Sequence, residues 1–147
     1  MPIQRLARRA WLATVLSLAT AATGDALATT TNFQGMEVEV VGTGRPVLMI
    51  PGLNSGADTW TDTCRALQPA VQCHIVQLPG FAGTPRVDEP AFLVPMRDRL
   101  LAYIADRRLR RPDVIGHSLG GVLALQMAIE QPKALGKLVI VDSLPFM

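Results

Sequence analysis

The chain has 147 residues, 49% of them hydrophobic, 18% charged and 5% aromatic. This is the profile of a globular protein and excludes a disordered or collagen-like one. Two cysteines are too few for a disulfide-dense mini-protein or an all-cysteine zinc site. The formal net charge of +2 comes from the first 28 residues, where Arg5, Arg8 and Arg9 stand against Asp25. Beyond residue 28 acidic and basic side chains balance, so charge gives no ground for nucleic-acid binding.

The chain opens with the order of a secretory signal. Arg5, Arg8 and Arg9 form a basic region, Trp11 to Thr23 is uncharged and mostly apolar, and Ala26-Leu27-Ala28 supplies small residues at both positions a signal peptidase reads. Cleavage is expected before Thr29, leaving residues 29–147 as the mature, exported (periplasmic or secreted) part. The apolar stretch is shorter than the roughly 20 residues of a spanning helix, so no stable membrane span is expected. Arg8-Arg9 loosely resembles a twin-arginine signal, a pair also common in ordinary export signals. In an oxidising compartment Cys64 and Cys73 either pair or remain two buried thiols, and sequence leaves both open. His74 adjoins Cys73, but no second pair stands at zinc spacing.

Next, Met36 to Val41 alternates apolar and acidic residues, which predicts a half-buried strand at or near a sheet edge. Gly42-Thr43-Gly44 reads as a tight turn. Pro46 to Ile50 is a continuous apolar run, the pattern of a strand buried on both faces, closed by Pro51-Gly52. Thr59 to Leu67 suits a helix, with Asp58 or Ser55 as candidate caps. Cys73 to Leu78 reads as a second buried strand, closed by Pro79-Gly80. After a polar, turn-rich stretch, Phe92 to Leu109 predicts a long amphipathic helix. Leu93, Met96, Leu100, Tyr103, Ile104 and the stem of Arg107 lie on its apolar side. The arginines at 107, 108, 110 and 111 read as cations complementing the end of that helix, with an anion site as the lesser alternative. Asp113 to Ile115 is a short strand, Leu119 to Glu130 a helix and Leu138 to Val141 a strand. The alternation predicts an α/β fold with a mainly parallel sheet.

The chemistry concentrates at Gly116-His117-Ser118-Leu119-Gly120-Gly121. A G-x-S-x-G pattern between an apolar strand and a helix forces its serine into a cramped turn above the sheet. Gly116 and Gly120 stand where a Cβ would collide. The Leu119 N–H then faces the place where an oxyanion would form.

With this element the chain resembles the N-terminal half of an α/β-hydrolase, from about Met36 to Val141. Val47-Leu48-Met49-Ile50-Pro51-Gly52-Leu53 resembles the family's strand and oxyanion loop, with Pro51 where a histidine is usual. Asp58-Thr59-Trp60 resembles the segment that follows. Leu78-Pro79-Gly80-Phe81-Ala82-Gly83-Thr84 resembles the next turn, with Gln77 near the usual aspartate. The resemblance implies a serine hydrolase, esterase- or lipase-like. Ser118 would be the nucleophile, Leu53 and Leu119 would supply the oxyanion amides, and Asn54 is an adjacent binding candidate. It implies a small-molecule ester or lipid substrate and no cofactor or metal, and leaves the oligomeric state undetermined.

In the family the order runs serine, acid, histidine. No histidine follows Ser118. His117 lies inside the elbow and reads as structural, and His74 precedes the serine. Asp142, after the last predicted strand, is a candidate acid; its alternative is a strand-end aspartate bonding nearby backbone. The expectation is a truncated fold lacking the lid and last strands, with no esterase turnover from these 147 residues alone. A non-catalytic α/β binding module, or a decayed hydrolase, is the other reading.

Overall fold

In a computed structural model the described residues are 28–144, so all but the last residue of the expected export signal lies outside them. Six strands form one sheet in the order β1-β2-β4-β3-β5-β6. They are β1 (Thr29–Phe33), β2 (Met36–Gly42), β3 (Arg45–Ile50), β4 (Val71–Gln77), β5 (Asp113–His117) and β6 (Leu138–Val141). β3, β4, β5 and β6 pair in parallel, while β1–β2 and β2–β4 are antiparallel. The expected α/β architecture with a mainly parallel sheet is therefore present. The helices are α1 (Thr61–Leu67), entered through a 3-10 turn at Ala57–Trp60, α2 (Leu93–Asp106) and α3 (Leu119–Glu130).

β3 shows why continuous apolar runs mark its place. Strand side chains alternate between faces. Leu48 and Ile50 enter the core shared with Met96, Leu100, Tyr103, Leu123 and Met127 of α2 and α3. Val47 and Met49 enter a smaller core on the opposite face with Trp60, Cys64 and Cys73. With both faces covered and neighbours on both sides, β3 has no position for a charge beyond its first residue.

Several expectations need correction. A strand precedes the one predicted at Met36: β1 takes the outer position and β2 lies one place in. Its polar sequence Thr29-Thr30-Thr31-Asn32-Phe33 has no apolar alternation because it is an edge with mostly exposed side chains. Gln34 and Gly35, both at positive φ, close the hairpin. Neither Asp58 nor Ser55 caps a helix. The chain enters the 3-10 turn from Gly56 without a side-chain cap, and the Ala57 N–H donates instead to Gln77 Oε1 at 2.8 Å. The long helix is shorter than predicted and ends at Asp106, because Arg108 turns to φ +52°. The basic residues thus follow the helix end. Arg107 lies over the Tyr103 ring, and the Arg111 Nε–H donates to the Leu135 carbonyl at 3.1 Å. The cysteines pair: a disulfide joins Cys64 of α1 to Cys73 of β4, with Cα atoms 6.1 Å apart.

Candidate active site

The site forms at the C-terminal ends of β3, β5 and β6, the end of a parallel α/β sheet where ligands bind. Between β5 and α3 the chain reverses within one residue. Ser118 takes φ +50°, ψ −116°, a conformation side chains rarely adopt. Such strain costs about 1–3 kcal/mol and persists only where surroundings over-determine it. Here they do. The Ser118 N–H donates to the Val141 carbonyl at 2.9 Å, and the Ser118 carbonyl accepts from Gly121 N–H, Val122 N–H and the Ser143 hydroxyl at 2.9, 3.2 and 2.8 Å.

The two elbow glycines are sterically required. A Cβ on Gly116 would lie 2.3 Å from the Gly120 carbonyl oxygen, and one on Gly120 would lie 2.2 Å from the Ile50 carbonyl oxygen. The second contact shows how close the elbow sits to the end of β3. The loop leaving β3 is equally close, since a Cβ on Gly52 would lie 3.2 Å from Ser118 Cβ and 2.8 Å from His117 Nδ1. Gly52 thus presses the loop against the serine and places Leu53 at its side.

Leu53 is 63% exposed, high for a leucine. The turn holding it is closed by a hydrogen bond from Ser55 N–H to the Gly52 carbonyl at 3.2 Å, which does not use the Leu53 N–H. Leu119 opens α3, where a helix leaves its first N–H groups without intrahelical acceptors and carries the positive end of its dipole. Leu53 and Leu119 together line two neighbouring cavities. The smaller, of about 470 Å³, adds Ser118, Val122, Asp142, Ser143 and Leu144. The larger, of about 570 Å³, runs between the turn after β4 and the start of α2.

Of the residues singled out from sequence, the structure brings Ser118, Leu53, Leu119 and Asp142 to one cavity. Asp142 sits at φ +44°, exposed on its rim, and its carboxylate bonds no backbone N–H among the described residues. Asn54 lines neither cavity. It holds the positive-φ position of the Leu53 turn, at +58°, a conformation asparagine tolerates better than most residues.

Neither histidine is placed as a base for Ser118. His117 packs against Gly52, and its Nδ1 is buried without a hydrogen-bond partner among the described residues. His74 is buried in the middle of β4, with Nδ1 2.8 Å from the Tyr103 hydroxyl and Nε2 3.2 Å from Gln72 Oε1. Burial, with the nearby Arg107 charge, lowers its pKa to about 4. Burial raises the Tyr103 hydroxyl to about 12. A neutral imidazole accepting from Tyr103 and donating to Gln72 satisfies both groups.

Two residues near the site have roles that sequence reading did not assign. Gln77, where the family pattern has an acid, accepts from Ala57 N–H and donates to the Leu78 and Phe81 carbonyls, both at 3.2 Å. It therefore ties the exit of the Leu53 loop to the turn after β4. Arg99 lies three residues after Met96 and four before Tyr103, on the apolar face of α2, and is buried there. A charge at an apolar-face position was the available signal. Among the described residues no group of three histidine, cysteine, aspartate or glutamate side chains converges to hold a metal, and no helix is long and apolar enough to cross a membrane.

The model of the alpha/beta hydrolase family matches residues 47–147. Over 110 residues the chain is 30% identical to a pimeloyl-[acyl-carrier protein] methyl ester esterase of Aeromonas hydrophila, a match covering 75% of this chain and 42% of that protein. The chain thus spans under half the length of such relatives. A marine microorganism esterase matches with a TM-score of 0.67 at 24% identity over 73% of this chain and 41% of its own. The epoxide hydrolase CorEH matches with a TM-score of 0.74 at 20% identity, over 82% and 44% respectively. At those identities the two structures speak for the fold alone.

Proposed function

From the premise that the chain belongs to the alpha/beta hydrolase family, we propose that it carries the nucleophile and oxyanion amides of a serine hydrolase acting on ester bonds. The observation that carries this reading is the strained Ser118, standing beside Leu53 and Leu119 at one cavity. Ser118 Oγ attacks the acyl carbonyl carbon, and the Leu53 and Leu119 N–H groups receive the charge that develops on its oxygen. Removing one such donor typically costs about 3–4 kcal/mol in the transition state. The alcohol leaves with a proton, and water releases the acyl group from Ser118. The esterase names among the relatives support an ester substrate. A serine, rather than an aspartate, at the elbow favours acyl transfer over epoxide opening.

A serine hydroxyl needs a base within hydrogen-bond reach. His74 is committed to Tyr103 and Gln72, and the His117 ring is turned against Gly52, so these 147 residues alone are expected to hydrolyse p-nitrophenyl acetate no faster than their Ser118→Ala variant. Asp142, the carboxylate lining the Ser118 cavity, is the candidate acid. A fluorophosphonate probe tests the nucleophile. Ser118 of the protein carrying these residues should be modified and Ser118→Ala should not. Equal modification of the variant, or modification elsewhere only, sinks the assignment.

We further propose export, with the mature chain starting at Thr29. Two features support it: β1 begins at Thr29, and Cys64–Cys73 is a disulfide, a bond that persists in oxidising compartments. N-terminal sequencing of the exported protein that starts elsewhere would overturn the cleavage site. The binding-module reading is favoured by no specific feature, since recognition alone gives no reason to keep a strained serine and both elbow glycines.

A further inference from the structure

The end of α2 does not consume the arginines that follow it. Three of its last carbonyls accept from backbone: Tyr103 from Arg107 N–H at 3.0 Å, Ile104 from Leu109 N–H at 3.0 Å and Ala105 from Arg108 N–H at 3.1 Å. The helix is closed by its own chain, so the Arg108 guanidinium is not needed there. Arg108 itself holds the left-handed position of that closure, at φ +52°, where glycine fits at lower cost. Beside it lies a cavity of about 350 Å³ between the exits of α2 and α3. Leu101, Ile104 and Leu109 give it apolar walls, and Arg108, Arg111 and Lys133 line it with three cations. All three are exposed, so a ligand can reach them. No carboxylate among the described residues lines the cavity. The acids nearest in sequence are taken: Asp106 lies 3.5 Å from Arg107, Glu130 lies 3.1 Å from Arg97, and Asp113 pairs with Arg45. Among the described residues none of the three cations enters an ion pair. Arg111 Nε–H donates to the Leu135 carbonyl at 3.1 Å, which fixes the direction of its guanidinium.

We propose that this cavity binds a phosphate monoester with a short apolar stem, at a site remote from Ser118. The ends of α2 and α3 bring about half a negative charge each, so of three cations roughly two charges stay uncompensated. A phosphate monoester is close to doubly charged above pH 7, whereas a carboxylate or a phosphodiester brings one charge. The planar fork of arginine suits phosphate oxygens, and the leucine and isoleucine side chains take the stem. α2 and α3 start at the cavities beside Ser118, which Leu93 and Leu119 line, and they end here. The two sites are thus one helix length apart, about 20 Å for the 14 residues of α2. Neither the charge excess nor the cavity depends on the hydrolase reading.

The test is titration of the 147-residue chain with hexyl phosphate at pH 7.5 and low salt, followed by amide NMR shifts. Saturable shifts are expected at Arg108, Leu109, Lys133 and Ala134. The dissociation constant should lie at least about tenfold below those of inorganic phosphate and hexanoate. Arg108→Gln with Lys133→Gln removes two exposed cations, so the fold should stand while binding weakens at least about tenfold. Arg108→Gly separates a ligand role from a structural one. It should raise the thermal midpoint of the free chain, by relieving the left-handed position, yet weaken hexyl phosphate at least about threefold. Ser118→Ala should bind as the parent chain does, so these outcomes are independent of the fluorophosphonate result. Shifts confined to residues around Ser118 overturn the proposal, as do equal binding of hexanoate and unchanged binding in the double variant. Binding to phosphatidylcholine vesicles containing phosphatidylglycerol, without saturable binding of hexyl phosphate, reassigns the cations to a lipid surface and overturns the soluble ligand.

Discussion

The sheet treats its two histidines differently, one in the middle of β4 and one at the end of β5. His74 in β4 has a partner on each ring nitrogen, and Tyr103 bridges it to α2. Across the sheet, at the ends of β3, β5 and β6, Asn54, Ser118 and Asp142 all sit at positive φ, and His117 Nδ1 has no partner among the described residues. Both regions belong to one core, so the contrast does not come from better or worse packing overall. Positive φ occurs also in turns elsewhere, at Gln34, Ala82, Arg108 and Arg111, but at the site it falls on the residue proposed to react, and the stability that sustains it there comes from regions like the His74 cluster.

The largest way to break the comparison is at the elbow itself. Gly120→Ala adds a single carbon, yet that carbon meets the Ile50 and Pro51 carbonyl oxygens at 2.2 and 2.7 Å. Both are backbone atoms, so neither rotates aside. The variant is expected to lose about 3–5 kcal/mol or fail to fold, the range of overpacked cores and broken special backbone positions. A urea melt superimposing on that of the parent chain would show that the elbow is not the rigid corner described.

The opposite side breaks by pH. The unfolded chain protonates His74 near pH 6.5 and the folded chain only at about 4. Acid therefore favours the unfolded state. The contribution is complete above pH 6.5 and is lost as pH falls from there toward 4. At about 1.4 kcal/mol per unit this amounts to roughly 3 kcal/mol. Carboxylates titrate over part of the same range, so the reading is the difference between the parent chain and His74→Gln in urea midpoint at pH 7.5, 5.5 and 4. The two curves should converge as pH falls. Parallel curves would mean that His74 is protonated in the folded protein or solvated within it.

How far each region was legible in sequence follows the same contrast. The elbow was legible almost to the residue, because its strain can be met only by glycines at fixed spacing and by a strand and helix on either side. α3 and β6 appear with the bounds their patterns predict. β1 was not legible, since an exposed edge strand needs no apolar alternation and its pairing is set by backbone hydrogen bonds to β2. The disulfide was left open because a nine-residue separation says nothing about whether a helix and a strand bring the sulfurs together. Arg99 was hidden for a different reason. Residue type argues for a solvated face and helical period for a buried one, and here period prevailed. Gln77 was read as a departure from a family pattern, yet its amide both donates and accepts, so it joins two loops.

The finest test of the contrast is at Ser143, where the two accounts of the elbow differ. If strain at Ser118 is held by many small contacts, losing one should cost little. The Ser143 hydroxyl is one of three donors to the Ser118 carbonyl, and the other two are backbone amides of α3 that remain after substitution. Ser143→Ala also keeps the Cβ that packs toward Gly121. The expected loss is therefore that of one ordinary hydrogen bond, about 1 kcal/mol in urea, with fluorophosphonate modification of Ser118 slowed only a few-fold. A loss as large as that of Gly120→Ala would mean that the elbow hangs on this single hydroxyl, and that Ser118 is held from β6 rather than by the steric closure of the two glycines.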